Sequence, residues 1–255
     1  MTPAMPILPR DYQPPTDLLK DRIILITGAG DGIGKAAALT CALHRATVIL
    51  LGKTVRKLEQ VYDDIVACGA PPPAIYPFNL ETASPDDYHQ LAEILNKEYG
   101  RLDGLLLNAG LLGNLTPIVH YDPQAWARVL HINLTANFLL TRECFQVLKK
   151  SRDARVLFTS DAAAIKGTAY WGAYAVAKAG GDTLMRILAD EWETNTAIRV
   201  NSLDPGIVQT TLRRHAFPAE DPSRLATPHA IMPAYLYLLG PDSQALHGQR
   251  LVWSA

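Results

Sequence analysis

The sequence predicts an α/β fold, a parallel sheet of about seven strands with helices on both of its faces. Short apolar runs rich in Ile, Val and Leu alternate with longer helical patterns, and a glycine cluster ends the first of these runs. Continuous apolar runs are typical of strands that are buried on both faces of a parallel sheet. Right-handed connections between such strands place a ligand crevice at their carboxyl ends.

The predicted strands are short apolar runs bounded by glycine, proline or polar residues. They comprise residues 22–27, 47–51, 74–78, 102–107, 155–159, 198–203 and 250–253. The predicted helices are longer and contain few helix-breaking residues. They comprise residues 33–45, 55–67, 85–99, 126–148 and 171–193, with further helical segments up to about residue 239. Residues 218–228 have a loop-like composition, at a place where a mobile lid would serve a substrate site.

The overall composition is that of a folded domain without a strong charge bias. Of the 255 residues, 48% are hydrophobic and 19% are charged, which permits a large buried core and excludes global disorder. A net charge of −1 provides no broad basic field for nucleic acid or for an acidic membrane surface. The widely spaced Cys41, Cys68 and Cys144 match no zinc or disulfide pattern, so we expect no metal and a reducing, cytoplasmic location.

The chain divides into a proline-rich N-terminal arm, residues 1–20, and a single domain, residues 21–255. The arm has no apolar core of the length that signal peptides need. Apolar runs elsewhere are far shorter than a membrane span, and no linker-like tract interrupts the domain. We therefore expect one soluble domain that crosses no membrane.

The glycine cluster joins the first predicted strand to the first predicted helix. Its candidate cofactor-binding residues are Gly28, Gly30, Asp31, Gly32, Ile33 and Gly34. Glycines permit a tight turn and let backbone N–H groups approach a pyrophosphate at the positive end of the helix. The alternative is a glycine-rich turn that binds nothing. The spacing differs from the common GxGxxG, and no Lys-Ser or Lys-Thr pair follows as in a kinase-type phosphate loop.

This cluster resembles the TGxxxGxG signature of the short-chain dehydrogenase/reductase family, and further motifs of that family follow in order. They are Leu107-Asn108-Ala109-Gly110 for NNAG, then Asn133, then Tyr174 and Lys178 for YxxxK, and Pro205, Gly206 and Thr210 for PGxxxT. The resemblance extends from Asp21 to Val252 and, within the family, points to the bacterial YciK-like oxidoreductases. It implies a doubly wound Rossmann fold, a nicotinamide cofactor held by these motifs, and catalysis by Tyr174, Lys178 and Asn133.

The residues after the second predicted strand favour NADP over NAD as the cofactor. An acidic residue there binds the ribose hydroxyls of NAD, whereas a basic residue accommodates the phosphate of NADP. Gly52 stands where NAD-selective relatives carry Asp, and Lys53 offers a cation, with Arg56 as a second candidate. The alternative is that these cations are ordinary solvated charges. The Asp31 carboxylate also weakly disfavours a phosphate nearby. Asn79 is a candidate for a polar contact with the adenine.

Tyr174 and Lys178 are four residues apart, so they share one face of the predicted helix. An ordinary phenol has a pKa near ~10, which is too high for proton exchange at neutral pH. A nearby ammonium favours the phenolate and is expected to lower the pKa of Tyr174. The resemblance adds that Asn133 holds a water that links Lys178 to solvent. The alternative is an amphipathic helix with a half-buried tyrosine and a surface lysine.

One position departs from the family. The family's catalytic serine lies thirteen residues before the tyrosine, where this chain has Asp161, preceded by Ser160. An ionised carboxylate only accepts hydrogen bonds and repels a developing oxyanion. Three outcomes are open. Ser160 replaces the family's serine, a protonated Asp161 donates the hydrogen bond to the substrate oxygen, or catalysis is impaired. Successive residues of a strand point to opposite faces of the sheet, so Asp161 and Ser160 lie on different faces, which argues against replacement by Ser160.

The leading functional hypothesis is an NADP-dependent oxidoreductase that transfers a hydride between the cofactor and a small carbonyl or alcohol substrate. The alternative, suggested by Asp161, is an NADP-binding sensor or structural partner with little catalysis. A sugar-nucleotide epimerase is disfavoured because little chain follows Lys178.

The sequence indicates the substrate class and the oligomeric state less directly than it indicates the cofactor. The segment expected to cover the substrate contains Leu212, Arg213, Arg214, His215, Phe217 and Leu225. It suits an apolar carbonyl compound or one that bears an acid. The resemblance also implies a homodimer or homotetramer, in which helices 126–148 and 171–193 pair across a two-fold axis.

Overall fold

The computed structural model describes residues 8–9 and 11–253 and contains one sheet of seven parallel strands. The strands are β1 (Ile23–Thr27), β2 (Thr47–Gly52), β3 (Ala74–Pro77), β4 (Gly104–Leu107), β5 (Arg155–Thr159), β6 (Arg199–Asp204) and β7 (Arg250–Val252). Their order across the sheet is β3-β2-β1-β4-β5-β6-β7. The predicted doubly wound parallel sheet is thereby confirmed.

Helices connect the strands and cover both faces of the sheet. They are α1 (Gly32–Leu43), α2 (Val55–Ala67), α3 (Pro85–Tyr99), α4 (Pro123–Leu130), α5 (Ala136–Lys149), α6 (Ala163–Lys166), α7 (Gly172–Trp192), α8 (Thr211–Ala216) and α9 (Met232–Leu239). Short 3-10 turns occupy Ile118–His120, Pro222–Arg224, Pro228–Ile231 and Pro241–Ser243. No helix in the described part of the chain has both the length and the apolarity to cross a membrane.

The strand order reverses beside β1, and this reversal positions the site. The chain moves outward from β1 to β3, then returns to pair β4 with the other edge of β1, with Leu25 opposite Leu105. The connections on either side of this point diverge, which leaves a crevice at the carboxyl ends of the strands.

The core consists of two apolar layers, one on each face of the sheet. Alternate residues of β1 enter different layers, because successive side chains of a strand point to opposite faces. Ile24 and Ile26 pack with α1, α2 and α9, whereas Leu25 packs with α3, α5 and α7. All three are fully buried, which explains why the strand reads as a continuous apolar run.

The predicted single helix 126–148 is wrong in detail. A capped start, with Asp122 accepting a 2.7 Å hydrogen bond from Ala125 N, begins α4 three residues earlier than predicted. Residues His131–Thr135 then form a π-helical turn that contains Asn133 before α5 begins. Such turns insert one residue into a helix and occur frequently at functional sites.

The described part of the N-terminal arm packs against the end of the domain. Leu19 is fully buried in the same layer as α9, and Tyr12 donates a 2.7 Å hydrogen bond to Asp242. Residues 1–7 and 10 lie outside the described residues, so the division into an arm and one domain stays a prediction.

Candidate active site

A cleft of about 850 Å³ opens at the carboxyl ends of the central strands. It is lined by most of the residues predicted to bind the cofactor or to act in catalysis. They are Gly28, Gly30, Asp31, Gly32, Ile33, Lys53, Asn79, Asn108, Tyr174, Lys178, Pro205, Gly206 and Thr210. Gly34 and Asn133 do not line the cleft, but they contact Gly28 and Leu111, which do. The fold therefore brings the sequence-predicted residues together at one site.

The glycine loop needs glycine at its two ends. Gly28 has a φ of +67°, in the left-handed region that disfavours other residues. At Gly34 a side chain would collide with the Gly28 carbonyl, so glycine allows α1 to approach β1 closely. The loop therefore presents backbone at the start of α1, as a pyrophosphate site requires.

Asp31 caps α1, and a lysine that the sequence analysis missed offsets its charge. Its carboxylate accepts a 2.7 Å hydrogen bond from Gly32 N and pairs with Lys57 Nζ at 2.7 Å. Although burial alone raises it, these contacts hold the pKa of Asp31 below its usual value. Lys57 lines the cleft, as does Lys53 four residues earlier, whereas Arg56 does not. Lys53 precedes the N-cap residue Thr54 and lies outside α2, so helix spacing gave no signal for this pair.

Two asparagines fix the backbone near the cofactor cleft. Asn108 ties β4 to β1, since its backbone N–H donates to Thr27 Oγ1 at 2.9 Å and its amide donates to Thr27 O at 3.2 Å. Asn79 follows β3 and accepts a 3.2 Å hydrogen bond from Glu81 N, which shapes the turn on that side.

The motif after β6 also fixes backbone at the rim of the cleft. Gly206 N donates to Asp204 at 3.0 Å, directly after Pro205. Thr210 caps α8 by accepting a 3.0 Å hydrogen bond from Arg213 N.

Tyr174 and Lys178 project from one face of α7 towards the end of β5. Tyr174 is 4% exposed, and its hydroxyl donates a 3.1 Å hydrogen bond to Asp161 Oδ2. Lys178 Nζ donates to Thr159 O at 2.6 Å and lies 5.6 Å from the centre of the Tyr174 ring. Tyr174 and Lys178 therefore share one face of α7, as predicted, and the Asp161 carboxylate lies beside them.

The pKa of Tyr174 is displaced in the direction opposite to the prediction. Burial, followed by the charge and hydrogen bond of Asp161, raises the pKa of Tyr174 well above that of an ordinary phenol. Burial lowers the pKa of Lys178, while Asp161 and other carboxylates oppose that change. Desolvation and the adjacent carboxylate therefore outweigh the ammonium. Tyr174 is therefore held as a phenol at neutral pH, and it is a weaker acid than an ordinary phenol.

Asp161, and not Ser160, faces the Tyr174 hydroxyl. Ser160 points away from it and donates a 2.8 Å hydrogen bond to the buried carboxylate of Asp182. Asp161 Oδ1 accepts a 2.8 Å hydrogen bond from Ala163 N, which fixes its orientation. Ser160 also lines the cleft, but its hydroxyl is engaged by Asp182.

Asn133 uses its whole side chain to hold neighbouring backbone. Its amide group donates to Leu111 O and Val129 O, both at 2.8 Å, and its side-chain oxygen accepts from Leu111 N at 3.0 Å. The Asn137 side chain donates to the Asn133 carbonyl at 2.9 Å. Asn133 thus anchors the loop after β4 beside the cleft.

Arg250 is a second residue that the sequence analysis missed. This partly buried side chain of β7 lies 3.0 Å from Asp182 and 2.9 Å from Asp204, and it donates to Asp161 O at 3.2 Å. It therefore holds the backbone that carries Asp161. No local sequence motif marks it, since its partners come from α7 and β6.

The part of the cleft beyond Tyr174 is apolar. Trp171, Leu212 and Ala216 line it. Arg213 is engaged elsewhere, because Glu220 binds its guanidinium at 2.6 Å and 2.7 Å. Among residues 8–9 and 11–253, no cluster of three His, Cys, Asp or Glu side chains forms a metal site.

Comparisons with known proteins match this fold and site. The family model for short chain dehydrogenases matches residues 22–221. The chain therefore belongs to the short-chain dehydrogenase/reductase family and is an NAD(P)-dependent oxidoreductase, as predicted.

Individual relatives place it among the YciK-like members. The chain is 45% identical to the oxidoreductase YciK of Escherichia coli over 237 residues, which is 93% of each chain. The structure of a short-chain dehydrogenase from Pseudomonas syringae is 47% identical, with a TM-score of 0.93 over 95% of this chain and 98% of that one. A short-chain dehydrogenase from Shigella flexneri, solved with NADP, is 44% identical, with a TM-score of 0.91 over 93% and 99%.

Proposed function

We propose that this chain is an NADP(H)-dependent oxidoreductase of small carbonyl and alcohol substrates, with Tyr174 as the proton donor or acceptor. The observation that carries the proposal is the position of the buried Tyr174 hydroxyl, which lies beside Lys178 in the same cleft as the glycine loop. The cofactor, when bound, supplies or accepts the hydride. In the reductive direction, Tyr174 gives its proton to the substrate oxygen.

The residues that line the cleft suit NADP. The glycine loop from Gly28 to Ile33 would face the pyrophosphate, and Lys53 and Lys57 would face a ribose phosphate. Gly52 places no carboxylate there. The remainder of the cofactor would lie against Asn79, Asn108, Pro205, Gly206 and Thr210. The relative from Shigella flexneri that was solved with NADP supports this choice.

Lys178 and Asn133 assist Tyr174 in this proposal. Lys178 would bind the nicotinamide ribose and replace the proton that Tyr174 loses, through a water held near Asn133. The deciding experiment combines NADPH titration with an NADPH-oxidation assay over a panel of ketones and aldehydes. Saturable binding with turnover supports the proposal, whereas binding without any turnover contradicts it.

A second candidate is an NADP-binding protein with impaired catalysis. The observation that favours it is the Asp161 carboxylate, which lies 3.1 Å from the Tyr174 hydroxyl where a hydrogen-bond donor serves carbonyl reduction. The same assay separates the two candidates, since only the enzyme oxidises NADPH with a substrate.

Lys53→Asp is expected to weaken NADPH binding about 10- to 100-fold and to shift preference towards NADH. One charged contact contributes about 1.5–3 kcal/mol, and the new carboxylate repels a phosphate. No carboxylate pairs with Lys53 within the described residues, so its charge is available to a ligand. Calorimetry with both cofactors measures the change, with Arg56→Asp as the matched control. Equal affinities of the parent for NADPH and NADH would refute the role of Lys53.

We further propose a homodimer or homotetramer in which α5 and α7 meet their symmetry mates. These helices expose Phe138, Val176 and Ile187, which are 46%, 49% and 49% exposed in the single chain. Ile187→Glu is expected to shift the mass measured by light scattering towards the monomer, because it buries a charge. Val66→Glu, on the similarly exposed face of α2, should leave the mass unchanged. A monomeric parent at micromolar concentration would contradict the proposal.

A cytoplasmic location is part of the same proposal. All three cysteines are free thiols, with Cys41 and Cys144 buried and Cys68 exposed. A reducing compartment maintains that state.

A further inference from the structure

Carboxylates outnumber cations around the Tyr174 hydroxyl. The carboxylates there are Asp161, Asp182 and Asp204, and the cations are Lys178 and Arg250. Arg250 binds Asp182 and Asp204 directly, at 3.0 Å and 2.9 Å. Lys178 donates its short hydrogen bond to a backbone carbonyl and not to a carboxylate. Asp161 is therefore the carboxylate that faces the cleft without a bonded cation among the described residues.

The hydrogen bonds of Asp161 are those of an acceptor. One carboxyl oxygen accepts from Ala163 N at 2.8 Å, and the other accepts from the Tyr174 hydroxyl at 3.1 Å. A carbonyl oxygen beside Tyr174 gains negative charge as it is reduced, so this carboxylate repels it. A protonated imine nitrogen carries positive charge and an N–H group, so the same carboxylate attracts it and accepts its hydrogen bond.

The opposite wall also suits an apolar cation. The Trp171 ring lines the cleft, with its centre 5.8 Å from that of the Tyr174 ring. The Phe217 ring beyond it is already covered by the Arg213 guanidinium at 3.7 Å. Leu212 and Ala216 complete this wall of the cleft. Aromatic faces attract organic cations, and the apolar side chains accommodate their hydrocarbon parts.

We infer that this site reduces protonated imines with apolar substituents, in addition to carbonyl compounds. The inference rests on the proposed function, since the reductant is NADPH. In the overall reaction, the hydride forms a new bond to the imine carbon and the C=N π electrons become the nitrogen lone pair. A cationic imine and NADPH thus give a neutral amine and NADP⁺. Asp161 holds the nitrogen, and a substrate that arrives protonated needs no proton from Tyr174.

The test compares dihydroisoquinoline, a cyclic imine, with tetralone, a ketone of similar shape. The parent is expected to reduce dihydroisoquinoline, and Asp161→Asn is expected to lower kcat/KM for it about 100-fold, a usual effect of one lost charge contact at the reacting group. For tetralone the same variant should be faster, because the amide can donate a hydrogen bond to the developing oxyanion where the carboxylate repels it. Asp63→Asn, on the exposed face of α2, is the matched control, and Asp161→Glu should retain part of the imine activity.

Binding provides a readout that is independent of turnover. Calorimetry should show that protonated tetrahydroisoquinoline, the product amine, binds the NADP⁺-loaded parent at least about 10-fold more tightly than it binds the Asp161→Asn variant. NADPH titration verifies that each variant is folded. A parent that reduces tetralone but not dihydroisoquinoline overturns the inference and leaves the proposed function standing. A parent that binds NADPH and reduces neither compound overturns both.

Discussion

Asp161→Ser is expected to raise the rate of ketone reduction about 100- to 1000-fold, which is the usual effect of one hydrogen-bond donor at a developing oxyanion. The substitution removes a carboxylate that lies 3.1 Å from the Tyr174 hydroxyl and supplies a hydroxyl in its place. It also removes two of the causes that raise the pKa of Tyr174. That pKa should fall, because the phenolate no longer lies beside a negative charge.

The measurement is kcat/KM for one accepted ketone across pH, with NADPH as the reductant. Ser160→Ala is the matched control, and its rate should stay within a few-fold of the parent because Ser160 bonds to Asp182 and faces away from Tyr174. If a protonated Asp161 is the donor, kcat/KM of the parent for the ketone will fall as pH rises. Asp161→Ser will then be faster than the parent only at alkaline pH. An unchanged rate in Asp161→Ser would refute the assignment of Asp161 to the reacting oxygen.

Tyr174→Phe is expected to lower ketone reduction by about two to four orders of magnitude, since it removes the proton donor. NADPH affinity should stay within a few-fold, because the substitution removes one hydroxyl and leaves the glycine loop and Lys178 in place. Reduction of a protonated imine should fall less, as that substrate needs no proton. Stopped-flow NADPH oxidation and a cofactor titration measure these effects. Tyr170→Phe, at a residue that is 58% exposed, is the control.

The raised pKa of Tyr174 also predicts how rates change with pH. Reduction requires the phenol, which is the dominant form below that pKa, so its rate should be flat through neutral pH. Alcohol oxidation requires the phenolate, so its rate should rise with pH into the alkaline range. A bell-shaped reduction profile centred near neutrality would contradict the role of Tyr174.

The sheet and most of the site were predictable from the sequence. The central strands are buried on both faces, so their apolar runs are visible without knowledge of their neighbours, as in β1, where all five residues are buried. The glycine loop and the Tyr174–Lys178 pair do meet at the cleft, as the resemblance of the ordered motifs to the family implied. The family motif identified Asn133, but the sequence predicted a continuous helix where Asn133 lies in a π-helical turn.

Other features depend on contacts between distant parts of the chain. Lys57 offsets the charge of Asp31 across the loop, and Arg250 of β7 binds carboxylates of α7 and β6. The choice between Ser160 and Asp161 depended on which residue the end of β5 turns towards Tyr174.

By itself, the sequence determined the doubly wound fold, the family and the position of the cofactor cleft, because periodicity and motif spacing are properties of short segments. Only the tertiary structure decided the chemistry at Tyr174. Its pKa rises where the spacing to Lys178 predicted a fall. Desolvation and charge interactions depend on every group that packs around a side chain, and those groups come from segments far apart in the sequence.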